Sequence, residues 1–76
     1  MAHRVVVYTA PGCSLCGPAV EAVRVVCGDD YAVVDITSSA DLERAYRERI
    51  PVVEVDGIAR LQYHVDPDEL RRLLER

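Results

Sequence analysis

The chain has 76 residues, half of them hydrophobic, and a formal net charge of −4, with nine arginines and no lysine. A chain of this length forms one domain, so we predict a single domain over residues 1–76. Its arginines are interleaved with Asp and Glu and form no basic stripe, which argues against nucleic acid as a partner. Arginine in place of lysine, together with abundant Ala, Val and Asp, is typical of bacteria with GC-rich genomes.

The N-terminal region predicts a buried strand and no membrane segment. The apolar run at residues 5–7 is too short for a signal-peptide core or a membrane span, so we expect a cytoplasmic protein without a membrane partner. Residues 4–9 are rich in β-branched side chains and stop at Ala10-Pro11-Gly12, a pattern typical of a buried strand.

A first helix is predicted from Ser14 to Gly28, a residue type that commonly ends helices. Pro18 lacks the backbone donor, so we expect a mild kink near the start of this helix. The small or polar residues recur every three or four positions and form one solvent-facing stripe on an otherwise apolar helix: Ser14, Gly17, Glu21, Arg24 and Gly28.

The middle of the chain predicts a second strand and a second helix. Residues 31–36 have the pattern of a buried strand, and Ser38 or Ser39 can cap the helix that follows. Pro51 prevents that helix from continuing. The residues expected on its inner face are Leu42, Ala45, Tyr46 and Ile50.

The C-terminal third predicts a hairpin and a third helix. Residues 52–55 alternate as a strand should, Asp56-Gly57 is a strong signal for a two-residue turn, and residues 58–61 return. Asp66 is predicted to cap the last helix, with Pro67 in its first position. The leucines expected to face inward are Leu70, Leu73 and Leu74, and the arginines suited to the negative end of the helix dipole are Arg71, Arg72 and Arg76.

These elements follow the order β-α-β-α-β-β-α. A strand–helix–strand unit makes a parallel pair with a right-handed crossover, and the hairpin adds two antiparallel strands. We therefore predict an α/β fold, a three-layer sandwich in which helices cover both faces of a four-stranded mixed sheet.

Two cysteines, Cys13 and Cys16, follow the first strand and lie at the start of the first predicted helix. Side chains three positions apart on a helix share a face, so the two sulfurs can bond. Unpaired N–H groups and the dipole at a helix N-terminus stabilise a thiolate, whose pKa can fall to roughly 3.5–7.5. We predict that Cys13 is the exposed nucleophile and that Cys16 is the more buried thiol that reacts second.

The alternative chemistry for a cysteine pair is a zinc site, which needs four ligands. Only one such pair is present, Cys27 lies about 16 Å further along the same predicted helix, and His3 and His64 are isolated in the sequence. We therefore expect no metal and no cofactor. Cys27 is expected to be a small buried hydrophobic residue, and His64 to lie in a solvated loop.

Two stretches of the sequence resemble glutaredoxins. Residues 5–16, which end in Cys13-Ser14-Leu15-Cys16, resemble the opening of that family, and residues 49–57 resemble its later strand and hairpin. The predicted order of elements also matches over essentially the whole chain. The resemblance implies a thioredoxin-like fold. Within the family, the sequence most resembles the short bacterial glutaredoxin-like proteins.

The resemblance also implies roles for the segment before the third strand. It implies that Pro51 is cis and faces the cysteine pair, and that the backbone of Ile50 pairs with the cysteine of a bound substrate like an added strand. In that fold Arg49 approaches the Cys13 sulfur, where we expect its charge to favour the thiolate or an incoming carboxylate. Tyr8 is expected among the substrate-binding residues.

The chain departs from the common glutaredoxin pattern where glutathione would bind. Ser14-Leu15 replaces the usual Pro-Tyr between the cysteines, and Ala10 stands where many members carry a lysine. Residues 61–66 lack the paired glycines that hold the charged ends of glutathione. We therefore expect a thioredoxin-reductase-type flavoenzyme or another low-molecular-weight thiol to be the better reductant.

The sequence thus predicts an enzyme, a monomeric thiol–disulfide oxidoreductase that reduces protein or mixed disulfides through its dithiol. One alternative stays open, in which the chain is a non-catalytic thioredoxin-like binding or scaffold module that merely retains the cysteine pair.

Overall fold

The computed structural model describes residues 3–75 and confirms the predicted order of strands and helices. One 3₁₀ turn is added after the second strand. Arg76, expected at the end of the last helix, lies outside the described residues. The elements are β1 (Val5–Thr9), α1 (Cys16–Cys27), β2 (Ala32–Asp35), the 3₁₀ turn (Ile36–Ser38), α2 (Ala40–Tyr46), β3 (Val52–Val55), β4 (Ile58–Gln62) and α3 (Pro67–Leu74).

The four strands form one mixed sheet in the order β2-β1-β3-β4. β1 runs parallel to β2 and antiparallel to β3, and β3 and β4 form an antiparallel hairpin. Asp56 and Gly57 at the hairpin turn have φ angles of 54° and 84°. Both values are positive, as the tight turn that matches the twist of the strands requires.

One face of the sheet carries the main core. Val7 of β1 and Val53 of β3 pack there against Val23 of α1 and Leu70 of α3, and all four are fully buried. Burial of each such side chain stabilises the fold by about 1.5–3 kcal/mol. α1 and α3 contact each other on this face, so they form one outer layer.

The opposite face of the sheet is covered by α2. Side chains alternate along a strand, so Tyr8 points away from Val7 and the core that surrounds it. The ring of Tyr8 packs against the ring of Tyr46, the last residue of α2, with centroids 4.9 Å apart. This contact places α2 on the second face and completes the three layers.

The prediction of a buried second strand is wrong, because β2 lies at an edge of the sheet. Ala32, Val33 and Asp35 are exposed, and Val33 keeps 49% of its surface accessible. Ala45, expected on the inner face of α2, is exposed as well. An apolar run predicts a strand, whereas its burial depends on which neighbours the fold gives it.

The first helix begins at Cys16, two residues after its predicted start at Ser14. Pro18 therefore occupies the third helical position, where a backbone N–H would have no partner within the helix in any case. Because Pro18 removes no helical hydrogen bond, the expected kink has no cause. Within residues 3–75, no helix is long and apolar enough to cross a membrane.

Candidate active site

Cys13 and Cys16 are joined by a disulfide, and their Cα atoms are 5.4 Å apart. The turn that carries Cys13 starts where β1 ends. Gly12 in this turn has a φ of 81°, which glycine adopts without a steric penalty. The Cys13 N–H donates to the Ala10 C=O at 3.3 Å and closes the turn. Cys13 thus lies just ahead of the helix, and Cys16 is its first residue.

The two bonded cysteines differ in exposure. Cys16 is buried, with 6% of its surface accessible, whereas Cys13 is half-buried. An incoming disulfide can therefore approach Cys13 but not Cys16. This difference has the direction expected for a nucleophile and a resolving thiol, and the two roles themselves stay predictions.

The start of α1 favours a negative charge. Leu15 is in the N-cap position, and among the described residues no side chain caps this end. The first turn of the helix also carries no acidic residue. The helix dipole places about half a positive charge at such an end, so a thiolate beside it is stabilised relative to a distant one.

The strand register brings the segment before β3 to the end of the sheet that carries the cysteine turn. Tyr8 pairs with Val52, so Pro51 lies beside Thr9, the last residue of β1 before the cysteine turn. The Ile50–Pro51 peptide bond is cis, as the resemblance implied, and Pro51 is fully buried. The fold therefore brings Cys13 and the segment before β3, which ends at Pro51, to the same end of the sheet.

The backbone of Ile50 is partly used inside the protein. The N–H groups of Arg49 and Ile50 both donate to the C=O of Tyr46, at 2.8 and 3.1 Å. A substrate strand beside this segment would therefore pair with the Ile50 C=O, and would reach its N–H only after the bond to Tyr46 had opened. The guanidinium of Arg49 is exposed, and within residues 3–75 it forms no ion pair.

Replacing Arg49 with alanine should slightly raise the pKa of the Cys13 thiol, or slightly weaken the binding of an anionic substrate. The effect is small because an exposed charge contributes only about 0–1 kcal/mol. Thiolate absorbance of the reduced protein, followed against pH, measures it. Arg47→Ala is the matched control, since Arg47 is exposed on the same segment. Unchanged titration and kinetics in Arg49→Ala would show that Arg49 is only a solvated residue.

Tyr8 shares the carboxylate of Glu54 with Tyr46, and the sequence alone did not single out Glu54. The phenols of Tyr8 and Tyr46 donate to the two oxygens of Glu54, at 3.1 and 2.6 Å. The bond to Glu54, then burial, raises the pKa of Tyr46 to about 12. Burial, then Glu54, raises the pKa of Tyr8. Both phenols therefore stay protonated near neutral pH. The Tyr46 phenol ties α2 to β3, and the Tyr8 phenol ties β1 to β3.

Cys27 lies apart from the pair, at the end of α1. It is half-buried and packs against the valine core. Burial, and after it the charge of Asp30, raises the pKa of its thiol, so little of it is thiolate near neutral pH. Within residues 3–75, no three His, Cys, Asp or Glu side chains are grouped as metal ligands would be.

Known proteins with the same architecture were found by comparison. The glutaredoxin-like domain family (DUF836) matches residues 4–75. The X-ray structure of XcR50 from X. campestris is 35% identical, with a TM-score of 0.77 over 93% of this chain and 95% of that one. Ne2328 from Nitrosomonas europaea is 26% identical, with a TM-score of 0.81 over 97% of this chain and 93% of that one. None of the curated proteins matches the chain.

A glutaredoxin is also among the similar structures. Oxidized glutaredoxin 2 from Chlamydomonas reinhardtii is 20% identical, with a TM-score of 0.59 over 92% of this chain and 69% of that one, a likeness of fold alone. The mixed sheet, its two helical layers and the cysteines after β1 agree with the expected thioredoxin-like fold. The chain belongs to the glutaredoxin-like domain family.

Proposed function

We propose that the protein is a thiol–disulfide oxidoreductase that reduces protein disulfides, or mixed disulfides with small thiols, through Cys13 and Cys16. The observation that carries the proposal is the asymmetry of the bonded pair. Cys13 is accessible in a turn, whereas Cys16 is buried as the first residue of a helix. The match to a glutaredoxin-like family supports the same chemistry.

The reaction proceeds in two exchange steps. The Cys13 thiolate attacks one sulfur of the substrate disulfide, and a mixed disulfide forms while the other substrate sulfur leaves as a thiolate. Cys16 then loses its proton to solvent and attacks the Cys13 sulfur. The second substrate thiolate leaves, and the disulfide between Cys13 and Cys16 forms. Two electrons pass from the protein to the substrate, and an external reductant must return them.

The proposed reductant is a thioredoxin-reductase-type flavoenzyme, or a small thiol other than glutathione. Glutathione carries two carboxylates, and a site without placed donors gains little from them, because exposed ion pairs contribute only about 0–1 kcal/mol each. The side chain of Ala10 offers no cation beside the cysteine turn, and Leu61 is buried in the core. These features support weak and unselective capture of glutathione.

The test has two stages. The pre-reduced protein is first given insulin or a glutathionylated peptide, and we expect it to reduce at least one of them. The oxidised protein is then reduced in parallel NADPH-coupled assays, one with thioredoxin reductase and one with glutathione and its reductase. Faster turnover with glutathione would contradict the proposed reductant and would identify glutathione as the reductant, as in glutaredoxins. Failure to reduce any disulfide would favour the non-catalytic binding module.

A further inference from the structure

Tyr63 has an unusual backbone for a large residue. It follows β4 and has a φ of 66°, in the left-handed region that favours glycine. The His64 N–H donates to the Gln62 C=O at 2.7 Å, so Tyr63 is the centre of a tight three-residue turn. A three-residue turn with positive φ at its centre is rare and strained.

The strained turn places Tyr63 in contact with both ends of the segment from Glu48 to Pro51. The Tyr63 N–H donates to the Pro51 C=O at 2.9 Å. Its phenol donates to the Glu48 C=O at 3.0 Å. Arg49 and Ile50 lie between these two attachments. On the helix side, the same segment is held by the C=O of Tyr46, to which the N–H groups of Arg49 and Ile50 donate.

The exposure of Tyr63 separates this role from ordinary core packing. Tyr63 keeps 47% of its surface accessible, so burial of the ring contributes little to folding. Glycine would adopt the turn without strain, and a phenol is needed only for the bond to Glu48. Strained residues of this kind concentrate at ligand clamps and active sites. Tyr63 also lies at the end of the sheet that carries the cysteine turn, because Gln62 pairs with Val52 and Val52 pairs with Tyr8.

We propose that Tyr63 is a positioning residue, whose phenol holds the segment from Glu48 to Pro51 so that the Ile50 C=O is placed for an incoming substrate strand. The inference rests on the proposed oxidoreductase function. Tyr63 takes no part in the exchange of electrons, so its loss affects capture of the substrate and leaves the reactivity of Cys13 unchanged.

The test compares Tyr63→Phe, which keeps the ring and loses only the phenol oxygen, with the wild type. We expect KM for the peptide disulfide to rise about three- to tenfold, the range for one lost hydrogen bond. The kcat and the alkylation rate of Cys13 should stay within about twofold of wild type. A purely structural role would instead lower the active fraction, and therefore kcat, without a change in KM.

Amide hydrogen exchange gives a second measurement that needs no activity. In the oxidised protein, the amides of Arg49 and Ile50 should exchange faster in Tyr63→Phe than in wild type. Tyr31→Phe is the matched control, because Tyr31 precedes β2 at the opposite end of the sheet. It should change neither KM nor exchange at these amides.

The outcomes separate the inference from the function on which it rests. Unchanged exchange at Arg49 and Ile50 in Tyr63→Phe overturns the inference even when the protein is active. Faster exchange with an unchanged KM also overturns it, because the segment would then have no role in capture. If the wild type reduces no disulfide, the proposed function fails first, and faster exchange then supports only the attachment of the segment by Tyr63.

Discussion

Replacing Cys13 with serine should lower the rate of disulfide reduction by about 10³-fold or more, because a serine hydroxyl is not ionised near neutral pH and cannot replace the thiolate. The loss should be specific to chemistry. Cys13 is half-buried in a turn ahead of α1 and is absent from the main core, so the variant should fold as the wild type does. Turnover of insulin or a glutathionylated peptide measures the first effect, and thermal unfolding of the reduced proteins checks the second.

Cys27→Ser is the matched control for this substitution. Cys27 packs against the core at the far end of α1, and the pKa of its thiol is raised by burial. The variant should keep its activity, although it loses some stability because a hydroxyl replaces a sulfur that packs against apolar side chains. Equal loss of activity in both variants would show that the loss comes from a smaller folded fraction and not from removal of the nucleophile. Full activity in Cys13→Ser would eliminate Cys13 as the nucleophile.

Replacing Cys16 with serine should stop the reaction at its midpoint. The Cys13 thiolate can still attack a substrate, but no second thiol of the protein lies within reach to release it. A mixed disulfide should therefore accumulate on Cys13 toward one equivalent per protein. Intact-mass spectrometry after incubation with a protein disulfide measures the adduct, and peptide mapping assigns it.

Two comparisons make the trapping result decisive. The double variant Cys13→Ser with Cys16→Ser should form no mixed disulfide with the substrate. Its remaining thiol is that of Cys27, which is half-buried and has a raised pKa. A small thiol added to the trapped protein should release the substrate, since it replaces Cys16 as the second nucleophile. Absence of an adduct with every disulfide substrate would contradict the two-step scheme. An adduct on Cys27 would contradict the assignment of the nucleophile.

Local patterns in the sequence were sufficient for most of the fold. The β-branched run of β1 and the Asp56-Gly57 turn each carry strong short-range signals, and both are confirmed. Ser39 caps α2 as one of the two predicted candidates, because its hydroxyl accepts from the Leu42 N–H at 3.4 Å. Such features depend on the conformational preferences of a few neighbouring residues, so a single sequence reveals them.

Features set by distant parts of the chain were not predictable in this way. β2 is exposed because the sheet order puts it at an edge, and nothing within residues 31–36 shows that order. Glu54 joins Tyr8 and Tyr46 only because the β1–β3 register and the position of α2 bring them together.

The candidate site also combines features that the local sequence predicts with features that depend on distant parts of the chain. The spacing of Cys13 and Cys16 and their position after β1 indicated the disulfide from sequence, whereas the cis bond before Pro51 came only from the family resemblance. Tyr63 was not singled out as a positioning residue, because a positive φ at a tyrosine has no local signature. Its bonds to Glu48 and Pro51 span the gap between two loops and follow from the completed sheet.

The central claim, that Cys13 is the reactive thiolate of the pair, is tested most directly by competitive alkylation of the reduced protein. Limiting iodoacetamide is added near neutral pH, and the label on each of the three cysteines is followed over time by peptide mass mapping. We predict that Cys13 is labelled first, and that Cys16, buried at the start of α1, and Cys27, packed against the core, react much more slowly. Faster labelling of Cys16 or Cys27 than of Cys13 would contradict the account.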